Sequence, residues 1–230
     1  MSGTRSAVVI GASGGIGAAM VRALAEEGVP VRGLARSFAG RDHIDLTDEE
    51  TIAAAARSLT TPPDLVFVAT GLLHEGAQGP EKSLSALDPA WLARQYAVNA
   101  IGPALVAKHV LPRMPKTGRC VLAFLSARVG SISDNRLGGW YGYRASKAAL
   151  NQLIRTVAVE ERRRNDRTIV VGLHPGTVDT PLSQPFQANV RPDQLFAADR
   201  AAVQLLDVLD GLKAPDSGRL FAWDGAEISP

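Results

Sequence analysis

The chain has 230 residues, 46% of them hydrophobic and 21% charged, with 25 Lys plus Arg against 23 Asp plus Glu. This is ordinary globular composition, far from that of a disordered chain, and the near-balanced charge says little about partners. The single cysteine, Cys120, excludes a disulfide framework. No stretch is apolar for long enough to span a bilayer, and the polar opening residues 1–6 do not read as a signal peptide, so a cytoplasmic protein without a membrane partner is expected.

The chain alternates short apolar runs with longer amphipathic ones. A first strand over 7–11 runs into a glycine-rich turn and a helix over 15–27, which Gly28 closes as a C-terminal glycine. A strand over 31–35 follows, then a weak one over 43–46. Thr47 and Glu50 have capping-box spacing at the start of a helix over 48–58. Next come a strand over 65–69 and a helix over 88–111, where Asn99 stands shortly before Gly102-Pro103 and predicts an irregular turn. A strand over 120–126 holds Cys120 as a small buried residue. A helix over 142–163 ends in Arg162-Arg163-Arg164, which suits a helix C-terminus. A strand over 169–173, a helix over 198–212 and a strand over 219–222 complete the series.

Strand–helix alternation of this kind predicts an α/β fold: one Rossmann-type, doubly wound parallel sheet of about seven strands with helices on both faces, residues 1–230 forming a single domain. Ligands of such sheets bind beyond the carboxyl ends of the strands. Basic residues are not spread over one face with interleaved aromatics, so no nucleic-acid partner is expected. His43, His74 and His109 lack metal-ligand spacing, and a lone His174 is more often structural than catalytic, so no metal is expected.

The turn Gly11-Ala12-Ser13-Gly14-Gly15-Ile16-Gly17 joins the first strand to the first helix. Glycines there allow a tight turn and close backbone approach, and the helix N-terminus offers free N–H groups to a pyrophosphate. At the end of the second strand stands Ala35-Arg36-Ser37, with no carboxylate before Asp42. A guanidinium there suits a 2′-phosphate, so NADP(H) is the preferred cofactor, with NAD(H) remaining open. Tyr143 and Lys147 lie four residues apart and share a helix face, where an ammonium can lower the phenol's pKa towards a working acid–base. Ser126 ends its strand, where its hydroxyl can polarise a carbonyl placed beyond the sheet.

The G-x-x-x-G-x-G spacing of Gly11, Gly15 and Gly17, with Asn99, Ser126, Tyr143-x-x-x-Lys147 and Pro175-Gly176-Thr177-Val178-Asp179-Thr180 in that order, resembles the classical short-chain dehydrogenase/reductase family. The resemblance runs from Ala7 to about Asp224. It implies that Asn99, Ser126, Tyr143 and Lys147 are the catalytic set, Asn99 holding a water that links the lysine to solvent. It further implies that Asp45 and Leu46 meet the adenine, that Ala69, Thr70 and Gly71 pass the adenine ribose, and that Pro175, Gly176, Thr177, Val178 and Thr180 meet the nicotinamide. Ala69-Thr70-Gly71 departs from the family's usual Asn-Asn-Ala-Gly-like sequence.

The long interval from Ser126 to Tyr143, the string Ala69-Thr70-Gly71-Leu72-Leu73-His74 and the string Tyr143-Arg144-Ala145-Ser146-Lys147-Ala148 look like the branch holding the sniffer-like carbonyl reductases and the C-factor signalling proteins. The activity expected is NADPH-dependent reduction of a small-molecule ketone or aldehyde. A nucleotide-binding signalling protein with little turnover and an NAD-linked alcohol dehydrogenase are the alternatives. A homodimer or homotetramer built on the two long helices is the family's habit. Residues 182–196, with Leu182, Phe186, Pro181, Pro185 and Pro192, and beyond them Trp140, Leu137 and Ile132, are expected over an apolar substrate pocket.

Overall fold

The computed structural model describes residues 6–230. Six strands run parallel: β1 (Ala7–Ile10), β2 (Val31–Leu34), β3 (Leu65–Val68), β4 (Cys120–Leu125), β5 (Thr168–His174) and β8 (Leu220–Ala222). A short antiparallel strand, β9 (Glu227–Ile228), closes one edge. The sheet order is β2-β1-β3-β4-β5-β8-β9, and β6 (Thr177–Val178) pairs separately with β7 (Leu195–Phe196). The expected weak strand over 43–46 does not form; only a single bridge links His43 to Ala35. The seventh strand is β9, which the sequence reading had not anticipated.

Residue alternation builds two apolar layers. Val8, Ile10, Val66, Val68, Leu122 and Phe124 face one side, where they meet α2 (Glu49–Arg57), α4 (Gly102–Val110) and α5 (Tyr141–Glu161). Ala7, Val9, Leu65, Phe67, Val121, Ala123 and Leu125 face the other, against α1 (Gly15–Glu26) and α6 (Ala198–Gly211). Strands covered on both faces have no polar side to show, which is why they read as unbroken apolar runs. Cys120 lies among them, 1% exposed, and burial pushes its thiol up, away from reactivity.

The chain leaves β1 outward to β2 and then returns to β3 on β1's other side. This reversal opens a crevice at the carboxyl ends of β1 and β3. At β2's outer edge, Arg32 bonds Asp42 (2.8 Å), the Ser58 carbonyl (3.1 Å) and the Arg41 carbonyl.

Two local expectations are corrected. Asp48, not Thr47, caps α2, accepting from Glu50 N–H at 2.9 Å; Thr47 turns its hydroxyl to Asp45 instead. The helix expected over 88–111 is three pieces: α3 (Pro89–Tyr96), a π-turn (Ala97–Ile101) and α4. Pro103 has no N–H to continue the i→i−4 ladder, and Gly102 N–H donates five residues back, to the Ala97 carbonyl. The irregular turn expected at Asn99 is this π-turn.

Gly102 is held by space. A Cβ there would stand 2.6 Å from both Cβ and the carbonyl oxygen of Leu46. Gly102→Ala should cost about 1–3 kcal/mol, as overpacking does, lowering Tm by roughly 2–12 °C in a chain of this size. An unchanged melting curve would show that α4 shifts freely away from Leu46.

Candidate active site

The glycine turn brings backbone against backbone. Gly11 has φ +87°, and a Cβ on it would lie 2.6 Å from the Ala69 carbonyl. A Cβ on Gly17 would meet the Gly11 carbonyl at 2.1 Å, so α1 can seat on β1 only without one. On Gly15 it would meet Thr180 Cγ2 at 2.6 Å, which sets Thr180 directly against the turn. Gly14 is the N-cap of the twelve-residue α1, with no side-chain cap and no acidic residue in the first turn. Ser13 and Gly14 are exposed, while Gly15 and Ile16 are half-buried. An uncapped N-terminus of this length presents free N–H groups and a positive dipole end to an anion.

Arg36 is exposed at the end of β2 and forms no ion pair among the described residues. Asp45 lies within its field. Burial pushes the Asp45 carboxyl up, but hydrogen bonds from the Thr47 N–H (2.8 Å) and hydroxyl (2.7 Å) outweigh it and hold the group below its ordinary range. Leu46 is buried under Gly102. Arg94 on α3 grips Glu75 with both Nε and Nη2 at 3.2 Å and adds a second cation near Asp45. Nothing in the sequence pattern had marked that pair.

After β3, Ala69 N–H donates to the Ile10 carbonyl at 2.7 Å. The Thr70 hydroxyl is buried without a partner among the described residues. A Cβ on Gly71 would lie 3.6 Å from Lys147 Nζ and 3.9 Å from Asn99 Oδ1, so the three residues meet. The uncapped helix end, the orphaned Thr70 hydroxyl and the bare Gly71 together fit a dinucleotide laid across the crevice.

Asn99 is 1% exposed. Its Oδ1 accepts from Leu72 N–H (2.7 Å), and its Nδ2 donates to the Leu72 carbonyl (2.9 Å) and to Ser146 Oγ (3.0 Å). Ser146, which the sequence reading passed over inside the Tyr-Lys motif, donates in turn to the Tyr143 carbonyl at 2.9 Å. The Asn99 side chain is therefore occupied by protein.

Tyr143 and Lys147 are both buried, 7% and 2% exposed. Lys147 Nζ donates to the Leu125 carbonyl at 2.9 Å and stands 5.8 Å from the centre of the Tyr143 ring. The expected lowering of the phenol is not found in the protein alone: burial pushes Tyr143 up to about 12 and Lys147 down to about 8. Removing either charged form from water costs more than their mutual attraction returns at this separation. At neutral pH Tyr143 is thus a phenol, a proton donor.

Ser126 is corrected in its placement. It continues the Leu122–Phe124 face of β4, and its hydroxyl donates to Asn151 Oδ1 at 2.6 Å, on the sheet side that α5 covers. The residue of this segment that packs with Tyr143 is Ala127, in a cluster with Leu73, Val129, Trp140, Leu182 and Phe186. Counting alternation from Leu122 would have revealed this, because a strand's side chains change face at every residue.

The cluster includes part of the expected pocket. The Trp140 ring lies 6.2 Å from Tyr143 and 5.1 Å from Phe186, and His74 lies 5.9 Å from Phe186. Leu137 and Ile132, 92% and 79% exposed, stand apart from it. Beyond β5, Gly176 has φ +76°, and a Cβ there would collide with Phe196 and Trp223. Pro175, Gly176 and Thr177 are half-buried and Val178 is buried against the β7 strand. His174, just before this segment, is driven down to about 4 by burial and so is neutral.

These features fit a site for a nicotinamide dinucleotide. The chain matches, over residues 11–206, the family model described as enoyl-(acyl carrier protein) reductase. It belongs to the short-chain dehydrogenase/reductase family and is an oxidoreductase. It is 33% identical to the C-signal protein of Myxococcus xanthus over 176 residues, 76% of this chain and 98% of that one. It is 30% identical to 1-hydroxy-2-glutathionyl-2-methyl-3-butene dehydrogenase of Rhodococcus sp. strain AD45, over 95% of this chain and 96% of that one. The NADPH-bound carbonyl reductase from chicken fatty liver shares the fold with a TM-score of 0.82, at 24% identity over 98% of this chain and 99% of that one. A Burkholderia multivorans chain solved with bound NADP has a TM-score of 0.81 at 25% identity, over 99% of this chain and all (100%) of that one. No helix among the described residues is long and apolar enough to cross a membrane.

The buried pair has a consequence for stability. Lys147 titrates near 10.5 when exposed and near 8 when folded, so between those values the unfolded chain holds the extra proton. Its contribution to stability therefore rises as pH rises from about 8 to about 10.5. Tyr143, raised from 10 to about 12, opposes this only above pH 10. Between pH 8 and 10, Tm of the wild type should gain on that of Lys147→Met measured in parallel. Two parallel curves would mean that the ammonium is not desolvated.

Proposed function

We propose that the protein is an NADPH-dependent carbonyl reductase whose proton donor is Tyr143. The observation that carries the reading is the burial of Tyr143 and Lys147 together, with Lys147 Nζ beside Gly71. A bound NADPH would supply the hydride. The α1 N-terminus, with Ser13, Gly14, Gly15 and Ile16, would hold the pyrophosphate, and Arg36 the 2′-phosphate. Asp45 and Leu46 would receive the adenine, Ala69, Thr70 and Gly71 the adenine ribose, and Pro175 to Thr180 the nicotinamide end. Lys147 would bind the nicotinamide ribose, and its charge there would favour proton release from Tyr143. Tyr143 would give its phenolic proton to the substrate oxygen as general acid.

Asn99 serves in this reading as a support, fixing the loop after β3 to the helix that carries Tyr143. Ser126 does not touch the substrate; its hydroxyl ties β4 to α5. Ala127 leaves Tyr143 without a neighbouring hydroxyl from this strand. The substrate is an apolar or aromatic ketone or aldehyde that packs on Leu73, Trp140, Leu182 and Phe186. Residues 1–230 act as one unit, and the homodimer or homotetramer that family membership implies would form on α5 and the α3–α4 segment, where Val159 and Ile101 are 51% and 53% exposed. Light scattering would give a multiple of the 24.3 kDa chain mass.

A second reading, a nucleotide-binding signalling protein with little turnover, is favoured by Ala127 and by the likeness to C-signal. Kinetics separate the two. Tyr143→Phe should lose about 10²–10⁴-fold in kcat with NADPH affinity kept within about twofold. Ser126→Ala should change kcat little, and Ala127→Ser should raise it. Loss of turnover in Ser126→Ala, with Tyr143→Phe active, would overturn the assignment. Tight NADPH binding without turnover on any aldehyde, ketone or quinone would select the signalling reading. Arg36→Ala should weaken NADPH by roughly 10–100-fold, the worth of one to two charge-assisted hydrogen bonds, and leave NADH unchanged. A preference for NADH in the wild type would favour the NAD-linked dehydrogenase.

A further inference from the structure

Helix α5 carries Tyr143 in its first turn, yet nothing local caps it. Its N-cap residue is Trp140, which has no side-chain cap and sits in the left-handed region at φ 52°, the one non-glycine among the described residues to do so. The first turn holds no acidic residue. The cap comes from far along the chain. Glu81 is 3% exposed, and its Oε2 accepts from Gly142 N–H at 3.1 Å. Oε1 accepts from Gln95 Nε2 at 3.1 Å, and Gln95 is itself fully buried on α3. The Glu81 carbonyl accepts from Trp140 N–H, so main chain and side chain grip consecutive parts of the same turn.

Among the described residues Glu81 has no ion pair. The charge of a buried carboxylate must be met by something, and here it is met by one N–H of the α5 first turn, that of Gly142, and by the Gln95 amide. The seat is tight: a Cβ on Gly142 would lie 2.7 Å from Gln95 Nε2, 2.8 Å from Leu92 Cδ2 and 2.9 Å from Glu81 Oε1. The consequence reaches the site directly. Trp140, held in its left-handed turn, lays its ring between Tyr143 and Phe186, and Tyr143 is the residue after Gly142.

We propose that Glu81 is a positioning residue for the reaction: its buried carboxylate acts as the cap of α5 and so sets Tyr143 and the Trp140 wall of the substrate pocket. This rests on the carbonyl reductase reading for its kinetic consequence, but the cap itself does not. Glu81→Gln keeps the size of the side chain but removes its charge, leaving the Gly142 N–H a neutral acceptor at best, and its new N–H is satisfied only if the Gln95 amide turns its unpartnered Oε1 towards it. Glu81→Asp keeps the charge and withdraws it by one methylene.

The test uses the full chain with two readouts. Amide hydrogen exchange of the peptide spanning 139–147 should quicken about tenfold or more in Glu81→Gln, while the α1 peptide keeps its wild-type rate. In the same variant kcat for a reactive aldehyde or quinone should fall tenfold or more, KM should rise, and NADPH affinity should stay within twofold. Glu81→Asp should lie between the two proteins in both readouts, and it replaces Glu81→Gln if the latter does not fold. Unchanged exchange at 139–147 would overturn the cap, whatever the activity. Faster exchange with unchanged kcat and KM would overturn the positioning role. Exchange quickening throughout the chain, with NADPH affinity falling alongside kcat, would reduce Glu81 to a general stabiliser and also overturn the proposal. If the wild type turns over no carbonyl, the carbonyl reductase reading fails, and the exchange measurement still decides the cap.

Discussion

One buried amide holds the two halves of the site together. Asn99 satisfies both the N–H and the C=O of Leu72, and with its remaining proton reaches Ser146, which is bonded to the backbone of Tyr143. The loop leaving β3 is irregular, so its polar groups have no ladder to join and need a side chain to satisfy them. Asn99 can serve because the π-turn shifts the helix phase just before Gly102-Pro103. Gly71 then has to lie beside Lys147, and the crevice floor acquires its shape. Removing that amide would strand the N–H and C=O of Leu72 away from water and leave the Ser146 hydroxyl only its bond to the Tyr143 carbonyl, a cost that falls on the site before it falls on the sheet.

Much of this was legible in the sequence because the controlling interactions are local. The glycine turn, the C-terminal glycine of α1, the kink at Asn99 and the shared face of Tyr143 and Lys147 each depend on residues within a few positions of one another. The failures have physical causes of the same kind. Thr47 and Asp48 both offer a cap oxygen, and the choice went to Asp48 because Thr47 is drawn to Asp45, a preference that spacing alone does not contain. The strand over 43–46 lacked a partner: beside β2 only one bridge forms, while the chain's end supplies β9 at the opposite edge. Ser126 was read as the site hydroxyl because it is the polar residue at the strand's end, yet the pleat sends it to Asn151 and brings Ala127 round to Tyr143. Glu81 was invisible for another reason. Its partner on α5, Gly142, lies 61 residues away and Gln95 lies 14 away, and a lone glutamate in a polar stretch carries no periodic signal.

The chemistry of the site follows from what is absent from water as much as from what is present. Desolvation moves Tyr143 and Lys147 in opposite directions, towards a protonated phenol and a weakly held ammonium proton. Both shifts favour the neutral forms. An anionic or cationic group arriving beside them changes that balance more than it would at the surface, because little solvent remains to screen it. With Ala127 in place of a hydroxyl, the side chains clustered with Tyr143 include Leu73, Val129, Trp140, Leu182 and Phe186.

The way the sheet ends bears on how the protein behaves in a crowded solution. A strand with one unpaired side is a template on which a neighbour's chain can add and continue the ladder. Here β2 is only four residues long, and Arg32 in its middle is drawn into a knot with Asp42, Arg41 and Ser58. At the far side β9 is two residues long and antiparallel, and Arg219 pairs with Glu227 across that edge. Both borders are short, charged and locally occupied. Edge-to-edge stacking into fibrils is thereby discouraged even though the interior strands are among the most apolar segments of the chain, and any assembly is left to the helices.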